Sequence, residues 1–326
     1  MLKFLNKILI SVAAMLFLTN FAYAQTAPIS LDAEPEYPSP GEEFTVEAST
    51  PTFNKNSAIF SWRINNRLRP EISGLGRNSI SLTAGVIGTI TNIKVRIVTA
   101  DGLQSEAEKN ILVSDLSLVW SADTYIPKWY KGRALPVPGA TVNVVALPDF
   151  VLGGQKFSPS TLIYRWSVDG RSQTRESFGR HTFGFKMSDL SNSSHTVAVV
   201  VEDPTRQIKK QASVTINSYI PRLLFYQASP LGGIESRFSP ASLSASLNKL
   251  VDIISEPFFF ATRSKNNLFY RWLIAGSEIQ GQPQDPSSIT IDTGKTPYDS
   301  IPVSLYVESL QEGGQPVNKS LDLIVK

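Results

Sequence analysis

The segment from Trp120 to Arg133 has the side chains best suited to contact another molecule. Its second half interleaves aromatic rings with bases: Lys128, Trp129, Tyr130, Lys131 and Arg133. Aromatic rings stack on sugars and cations, and bases attract acidic groups. The same composition suits a junction between two domains, which we favour for the two rings; plain solvent exposure is a third possibility. All five residues are therefore candidates for contact with a ligand or partner.

Residue types that support catalysis are present but do not form a recognisable pattern. The histidines, His181 and His195, are not accompanied by the Gly-x-Ser-x-Gly turn that presents a nucleophilic serine. Asp101, Glu202 and Asp203 lie near predicted strand ends and could join a calcium loop, but they do not form a dense acidic motif. We predict no enzymatic activity, no catalytic or metal-binding residue and no cofactor, with a hydrolase of unrecognised site as an alternative.

The amino-acid composition excludes several further classes of functional site. The chain contains no cysteine, which excludes disulfides, zinc–cysteine sites, iron–sulfur clusters and thiol catalysis. With 326 residues, 42% of them hydrophobic and 18% charged, the chain can bury cores in two or three domains. A net charge of +3 does not indicate a surface for nucleic acid.

Three tryptophans define an internal repeat. Phe60-Ser61-Trp62, Tyr164-Arg165-Trp166 and Tyr270-Arg271-Trp272 each begin a stretch in which large apolar residues alternate with others. This period of two predicts a strand with one buried face. The stretches continue into Asn65-Asn66, Asp169-Gly170 and Ala275-Gly276, of which the first two pairs favour a tight hairpin turn.

Further strands recur at matching distances from each tryptophan. Thirty-three residues later lie the centres of three alternating strands, at Val95, Val199 and Leu305. A strand between these two contains Ile80 and Leu82, Phe183 and Phe185, or Ile289 and Ile291, and a closing strand follows. We predict that Trp62, Trp166, Trp272, Val95, Val199 and Leu305 are structural core residues, because a slip of one residue would expose every buried side chain.

These strands predict an all-β protein of three tandem antiparallel β-sandwiches. The predicted domains are residues 25–114, 115–217 and 218–326, after a signal peptide at 1–24. No Gly/Ser linker separates them, so we expect limited bending between neighbours.

The strand and hairpin residues resemble those of PKD and related bacterial Ig-like domains. The similarity lies in Trp166-Ser167-Val168-Asp169-Gly170 and in Ile97-Val98-Thr99-Ala100-Asp101-Gly102, and the PKD sequence Trp-Asp-Phe-Gly-Asp-Gly is missing from all three copies. The resemblance implies an extracellular module that serves as a spacer, an adhesion element or an accessory to a surface machine.

We therefore expect an exported, non-enzymatic structural or adhesive protein of a bacterial cell envelope, accessory to a pilus or secretion assembly. Its expected partners are envelope proteins or cell-surface glycans, and no nucleic acid. The alternative is a carbohydrate- or peptidoglycan-binding module that uses Trp129 and Tyr130.

The N-terminus has the features of an export signal. Lys3 and Lys7 precede the apolar stretch Ile8–Leu18, and Ala22-Tyr23-Ala24 matches the small-x-small pattern accepted by signal peptidase. An uncleaved anchor, the alternative, would tether the same domains to the outer face of the membrane.

We predict that the mature chain begins at Gln25. Intact-mass and N-terminal analysis of protein expressed in an exporting bacterium should show loss of residues 1–24. Ala24→Arg should block this cleavage, since the peptidase requires a small residue there. Recovery of an unprocessed wild-type chain would contradict the prediction.

Overall fold

The computed structural model describes residues 29–51, 54–229, 233–234, 239–279, 285–295, 299–310 and 314–326. The predicted signal peptide lies outside the described residues. Within these ranges, no helix has the length and apolar character needed to cross a membrane. The helices there are single 3-10 turns, at Lys55–Ser57, Pro70–Ile72, Pro159–Thr161, Lys265–Asn267 and Thr293–Lys295.

The described chain forms two compact units. One contains the residues up to Asp115 together with Val151–Gly154, and the other contains Leu116–Phe150 and Gln155–Lys326. The second unit therefore includes most of the second repeat and the whole of the third. Division into three domains at 114/115 and 217/218 remains a prediction.

The first repeat contains two sheets that face a common core. Its strands are β1 (Ser30–Glu34), β2 (Glu43–Ser49), β3 (Ile59–Ile64), β4 (Arg67–Leu68), β5 (Gly74–Leu75), β6 (Ser79–Thr83), β7 (Ile90–Val98) and β8 (Gln104–Leu112). One sheet has the order β1-β2-β6, and the other has the order β4-β3-β7-β8, with β5 also paired to β3. Inward-facing residues of both sheets, among them Phe44, Val46, Trp62 and Val95, form one apolar cluster.

The second repeat has the same strand order. Its strands are β9 (Asp115–Ala122), β10 (Thr141–Asp149), β11 (Val151–Leu152), β12 (Gln155–Lys156), β13 (Ile163–Val168), β14 (Arg171–Ser172), β15 (Ser177–Phe178), β16 (Thr182–Lys186), β17 (Ser194–Glu202) and β18 (Lys209–Asn217). The two main sheets are β16-β10-β9 and β14-β13-β17-β18, with β15 on β13, and β11 pairs with β12 in a separate two-stranded sheet.

The third repeat keeps this order and adds a parallel strand. Its strands are β19 (Arg222–Ser229), β20 (Gly233–Ile234), β21 (Ser242–Ala245), β22 (Leu250–Phe258), β23 (Leu268–Ile274), β24 (Ser277–Glu278), β25 (Ser288–Asp292), β26 (Ser300–Ser309) and β27 (Val317–Val325). The sheets are β20-β19-β22-β25 and β21-β27-β26-β23-β24. One pairing departs from the antiparallel pattern, since β21 pairs with β27 in parallel at the edge of its sheet.

The chain is thus an all-β protein of tandem Ig-like sandwiches, as predicted. In each repeat the second and third long strands lie in different sheets, and the tryptophan strand pairs with a strand distant in sequence. This order is that of the Ig-like class. All three predicted strand sets are present, and the longer connections fall between the first two long strands of the second and third repeats.

Each tryptophan is buried and ties the two sheets of its repeat together. Trp62, Trp166 and Trp272 are 0%, 1% and 4% exposed. Their indole Nε1–H groups donate to the carbonyl oxygens of Arg77, Arg180 and Pro286, at 2.8, 2.9 and 3.0 Å. These carbonyls lie just before β6, β16 and β25, which are strands of the opposite sheet. The residues directly across from the tryptophans are Val95, Val199 and Leu305, all fully buried.

The hairpin after each tryptophan strand has positive φ at both central residues, as a type I′ turn requires. The φ angles are 49° and 64° at Asn65 and Asn66, 51° and 75° at Asp169 and Gly170, and 46° and 80° at Ala275 and Gly276. Ala275 takes this conformation although alanine disfavours it. The third turn is therefore of the same kind as the two that the sequence favoured.

The side chain at the first position of each turn depends on whether the facing residue has a backbone N–H to donate. Asn65 Oδ1 accepts from the Asn92 N–H at 2.9 Å, and Asp169 Oδ1 accepts from the Thr196 N–H at 2.8 Å. At the third turn the facing residue is Pro302, whose carbonyl accepts from Ala275 N–H. Proline has no N–H, so the third repeat needs no side-chain acceptor at this position.

We predict that Trp166→Ala destabilises the unit that contains it by about 3–5 kcal/mol, through lost burial and the cavity left behind. Chemical denaturation of purified protein measures this loss. The control Trp166→Phe keeps most of the ring volume and loses the bond to Arg180, and should cost less. If Trp166→Ala kept the wild-type transition while losing a binding activity, the tryptophan would be a ligand contact instead.

We also predict that Ala275→Gly raises the free energy of unfolding by about 0.5–1 kcal/mol, because glycine adopts positive φ without steric cost. The matched change Asn65→Ala should do the opposite, since it introduces that cost and leaves the Asn92 N–H without its acceptor. Denaturant titrations of both variants provide the comparison. A destabilised Ala275→Gly variant would contradict the prediction.

Candidate functional site

The connection between β9 and β10 packs against the end of β22, which belongs to the third repeat. Val137 and Ala140 of this connection form a buried apolar cluster with Phe258, Phe259 and Ala261. The partly buried residues against the cluster are Ile126, Tyr130, Leu135 and Leu224. We call this set the aromatic junction. It lies within one compact unit, so the second and third repeats share a core of their own.

The two predicted rings both face the third repeat. Trp129 makes edge contacts with Tyr226 and Phe258, with ring centroids 6.0 and 5.7 Å apart. Tyr130 makes edge contacts with Phe258 and Phe259, at 5.5 and 5.8 Å. Such pairs add to the free energy gained from burial. Trp129 nevertheless stays 39% exposed.

The three predicted bases lie on the outside of the same segment. Lys128, Lys131 and Arg133 are exposed. The Arg133 guanidinium lies 4.5 Å from the centroid of the Trp120 ring, in a cation–π contact. The structure therefore separates the predicted set into rings that pack on the third repeat and bases that face solvent.

Backbone hydrogen bonds close the aromatic junction. Tyr125 N–H donates to Phe260 O at 2.9 Å, and Phe259 N–H donates to Tyr125 O at 2.7 Å. Phe259 has a φ of 63°, an unfavourable conformation for a bulky residue. The paired bonds to Tyr125 and the ring contact with Tyr130 hold this conformation in place. A third bond, from Tyr219 N–H to Pro136 O at 2.8 Å, connects the start of the third repeat to the same connection.

A buried carboxyl group lies beside the aromatic junction. Tyr125 Oη donates to Glu256 Oε1 at 2.8 Å, and Glu256 is 6% exposed. Burial raises the pKa of Glu256, and nearby Asp285 adds to this, while the Tyr125 bond and Lys265 act in the opposite direction. Burial together with Glu256 raises the pKa of Tyr125 as well. At the rim, Arg263 pairs with Asp123 at 2.7 Å.

The residues weighed for catalysis or calcium binding have structural partners. His195 Nδ1 bonds to Asp169 Oδ2 at 2.7 Å, and its Nε2 accepts from the Ser188 N–H. Glu202 pairs with Arg165 at 2.6 Å. Asp203 accepts from the Ile208 N–H, and Asp101 accepts from the Thr99 hydroxyl. No group of three or more acidic or histidine side chains suited to a metal occurs in the described ranges.

Sequence reasoning missed the partner side of the aromatic junction. Phe258, Phe259 and Phe260 are consecutive, so they do not follow the period of a strand, and Glu256 lies in a strand that otherwise alternates. A run of three aromatic residues that begins with the last residue of a strand was the available signal. It predicts burial on more than one side, which a single sandwich face does not provide.

No protein-family model matches the chain, and no curated protein matches it. Three solved structures illustrate its likeness to multidomain β-sandwich proteins. They are the three N-terminal domains of the bacteriophage RB49 outer capsid protein Hoc (12% identity, 92% of this chain and 99% of that one, TM-score 0.25), the central fibronectin-III array of RIM-binding protein (13%, 90% and 97%, 0.29), and a chain from a 1.5-MDa bacterial ice-binding adhesin (12%, 93% and 99%, 0.23). Because these TM-scores are below 0.5, the Ig-like assignment depends on the strand order and cores described above.

We predict that the stability of the second compact unit falls as pH rises through the folded pKa of Glu256. A carboxyl group whose pKa is higher in the folded state binds more protons there, so stability is lost between about 4.3, the unfolded value, and the folded pKa. Glu256→Gln keeps an oxygen that accepts from Tyr125 but cannot titrate. Melting temperatures across this range should therefore depend less on pH in the variant.

The control is Glu308→Gln, which alters the less buried carboxylate bonded to the Tyr306 hydroxyl. This control tests whether loss of a tyrosine–carboxylate bond outside the aromatic junction changes the dependence of stability on pH. Equal pH dependence in wild type and Glu256→Gln would show that the buried carboxyl group does not control the stability of this unit.

Proposed function

We propose that this chain is a non-enzymatic, exported protein of a bacterial cell envelope whose Ig-like repeats act as a structural or adhesive element. It would serve a pilus or secretion assembly, with envelope proteins or cell-surface glycans as partners. The observation that carries the proposal is the aromatic junction. Two repeats that share an apolar cluster and reciprocal backbone bonds resist bending, and a spacer needs this property to hold its binding surfaces at a fixed separation.

The use of the polar residues also supports a non-enzymatic function. His195 has both ring nitrogens engaged, and His181 Nδ1 lies 3.0 Å from the Gly179 carbonyl oxygen. The buried carboxyl of Glu256 accepts from the Tyr125 hydroxyl beside the aromatic junction. These contacts stabilise turns and the junction between repeats. PKD membership within the Ig-like class is a further proposal, supported by the residues from Trp166 to Gly170.

A second candidate is glycan binding by the Trp129–Tyr130 segment. The partial exposure of Trp129 favours it, since an exposed indole edge beside Lys128 and Lys131 offers both stacking and charge. In this case the segment would have two functions, packing on the third repeat with one side and contacting ligand with the other.

Surface labelling tests the first proposal. Intact bacteria that produce the full chain are treated with a membrane-impermeant biotin reagent, and envelope extracts are cross-linked and purified on the chain. We expect labelled chain and specific co-purified envelope components. Exclusively cytoplasmic chain, or turnover in an esterase, glycosidase and peptidase screen, would overturn the proposal.

A glycan array tests the second candidate. Wild type, Trp129→Ala and the matched surface change Lys131→Ala are compared, each with a melting curve to confirm folding. Binding lost in Trp129→Ala would assign glycan contact to this segment. Glycan binding that persists unchanged in both variants would remove the segment from the ligand site.

A further inference from the structure

A cleft opens on the second repeat, and none of the residues that line it belongs to the aromatic junction. It has a volume of about 580 Å³, within the range of small-molecule sites. Its walls come from β16, from β14 with the residues around it, and from His195 at the start of β17. Strands β16 and β14 each lie at the edge of their sheet. The cleft therefore lies where the two sheets of this sandwich leave their shared core open.

The floor of the cleft is aromatic. The rings of Phe183 and Phe185 have centroids 6.3 Å apart and planes only 9° from parallel. Phe183 also stacks on Trp166, at 5.4 Å and 18°. The buried tryptophan thus supports the first of two flat rings, both of which are only partly buried.

The corresponding positions in the other repeats have aliphatic side chains. Pairing with the neighbouring strand places Phe183 opposite Val144, as it places Ile80 opposite Val46 and Ile289 opposite Ile253. Ile80 and Ile289 are 4% and 8% exposed. The second repeat has a larger side chain at this place and leaves Phe183 more accessible than either isoleucine, which core packing alone does not require.

The rim of the cleft carries two bases and one carboxylate. Arg171 and Lys186 both line it, together with Gln173. The acidic member, Asp169, accepts bonds from His195 and the Thr196 N–H, and these bonds lower its pKa. Lys186 lies 3.9 Å from exposed Asp189, a loose pair.

The combination of rings and bases is specific to the second repeat. By strand pairing, the positions of Arg171 and Lys186 correspond to Arg67 and Thr83 in the first repeat and to Ser277 and Asp292 in the third. Neither of those repeats joins two bases to two aromatic rings.

We propose that this cleft binds a saccharide unit that carries a carboxylate, such as a uronic acid. The apolar face of a pyranose ring fits against flat aromatic rings, and the carboxylate would form charge-assisted hydrogen bonds with Arg171 and Lys186. An extended peptide instead places alternate side chains in separate pockets, whereas this cleft has one continuous aromatic floor. The inference rests on the proposed adhesive function and names a ligand class for it.

Calorimetry with the full chain tests the inference, using trigalacturonate as the acidic probe and its methyl ester as the uncharged match. We expect the acid to bind and the ester to bind at least about tenfold more weakly, because the ester lacks the negative charge that would pair with Arg171 and Lys186. Binding of the acid should also weaken as salt is raised.

The variants use residues that other repeats have at the same positions, so that the sandwich still folds. Arg171→Ser, Lys186→Thr and Phe185→Leu should each weaken binding of the acid by about fivefold or more. Arg67→Ser, at the position in the first repeat that corresponds to Arg171, should leave it unchanged. Melting curves confirm that each variant is folded.

Several results would overturn the inference. These are no binding of trigalacturonate, equal binding of acid and ester, or binding unaffected by all three cleft variants. Tighter binding of triglutamate with the same dependence on Arg171 and Lys186 would assign the cleft to acidic peptides. Trigalacturonate binding that is lost in Trp129→Ala but kept in all three cleft variants would place the ligand site at the Trp129–Tyr130 segment instead. None of these results bears on surface labelling, so failure of the ligand assignment stays distinguishable from failure of the adhesive function.

Discussion

The structure of each repeat depends on one buried tryptophan whose indole N–H reaches a carbonyl of the opposite sheet. Burying such a ring removes ~150–250 Å² from water, which contributes ~4–6 kcal/mol before entropy losses. This is comparable to the net stability of a small domain. The indole hydrogen bond also fixes the relative position of the sheets, because it holds the residues just before β6, β16 or β25 against the tryptophan. The tryptophan therefore sets both the cohesion and the alignment of the two sheets.

The aromatic junction joins the second and third repeats by the same combination of apolar burial and hydrogen bonding. Edge contacts of Trp129 and Tyr130 with aromatic residues of the third repeat supply apolar burial. The paired backbone bonds between Tyr125 and residues 259–260 fix the relative position of the two segments. These contacts offset the ~1–2 kcal/mol that a left-handed conformation costs at Phe259. A junction of this composition makes two sandwiches behave as one unit, consistent with the division of the chain into two compact units.

The three repeats also show which features of the sandwich can change. At the hairpin turn, the acceptors Asn65 and Asp169 face residues with an N–H, whereas Ala275 faces Pro302, which has none. The third turn lacks both the side-chain acceptor and the facing backbone N–H, so neither group is left there without a partner. The flank beside the turn varies more freely, since edge strands such as β16 are packed on one side only. This freedom allows the second repeat to carry Phe183 and Phe185 with bases around them.

The sequence by itself determined the strands, their alternation and the threefold recurrence around Trp62, Trp166 and Trp272. These features follow from a period of two and from a register that tolerates no slip, so they are visible in local order. It did not determine the parallel pairing of β21, the partners of Trp129 and Tyr130, or the cleft beside Phe185. Each of these depends on residues far apart in the chain that meet only after the sheets have formed. Local periodicity predicts which face of a strand is buried, but tertiary structure decides what covers it.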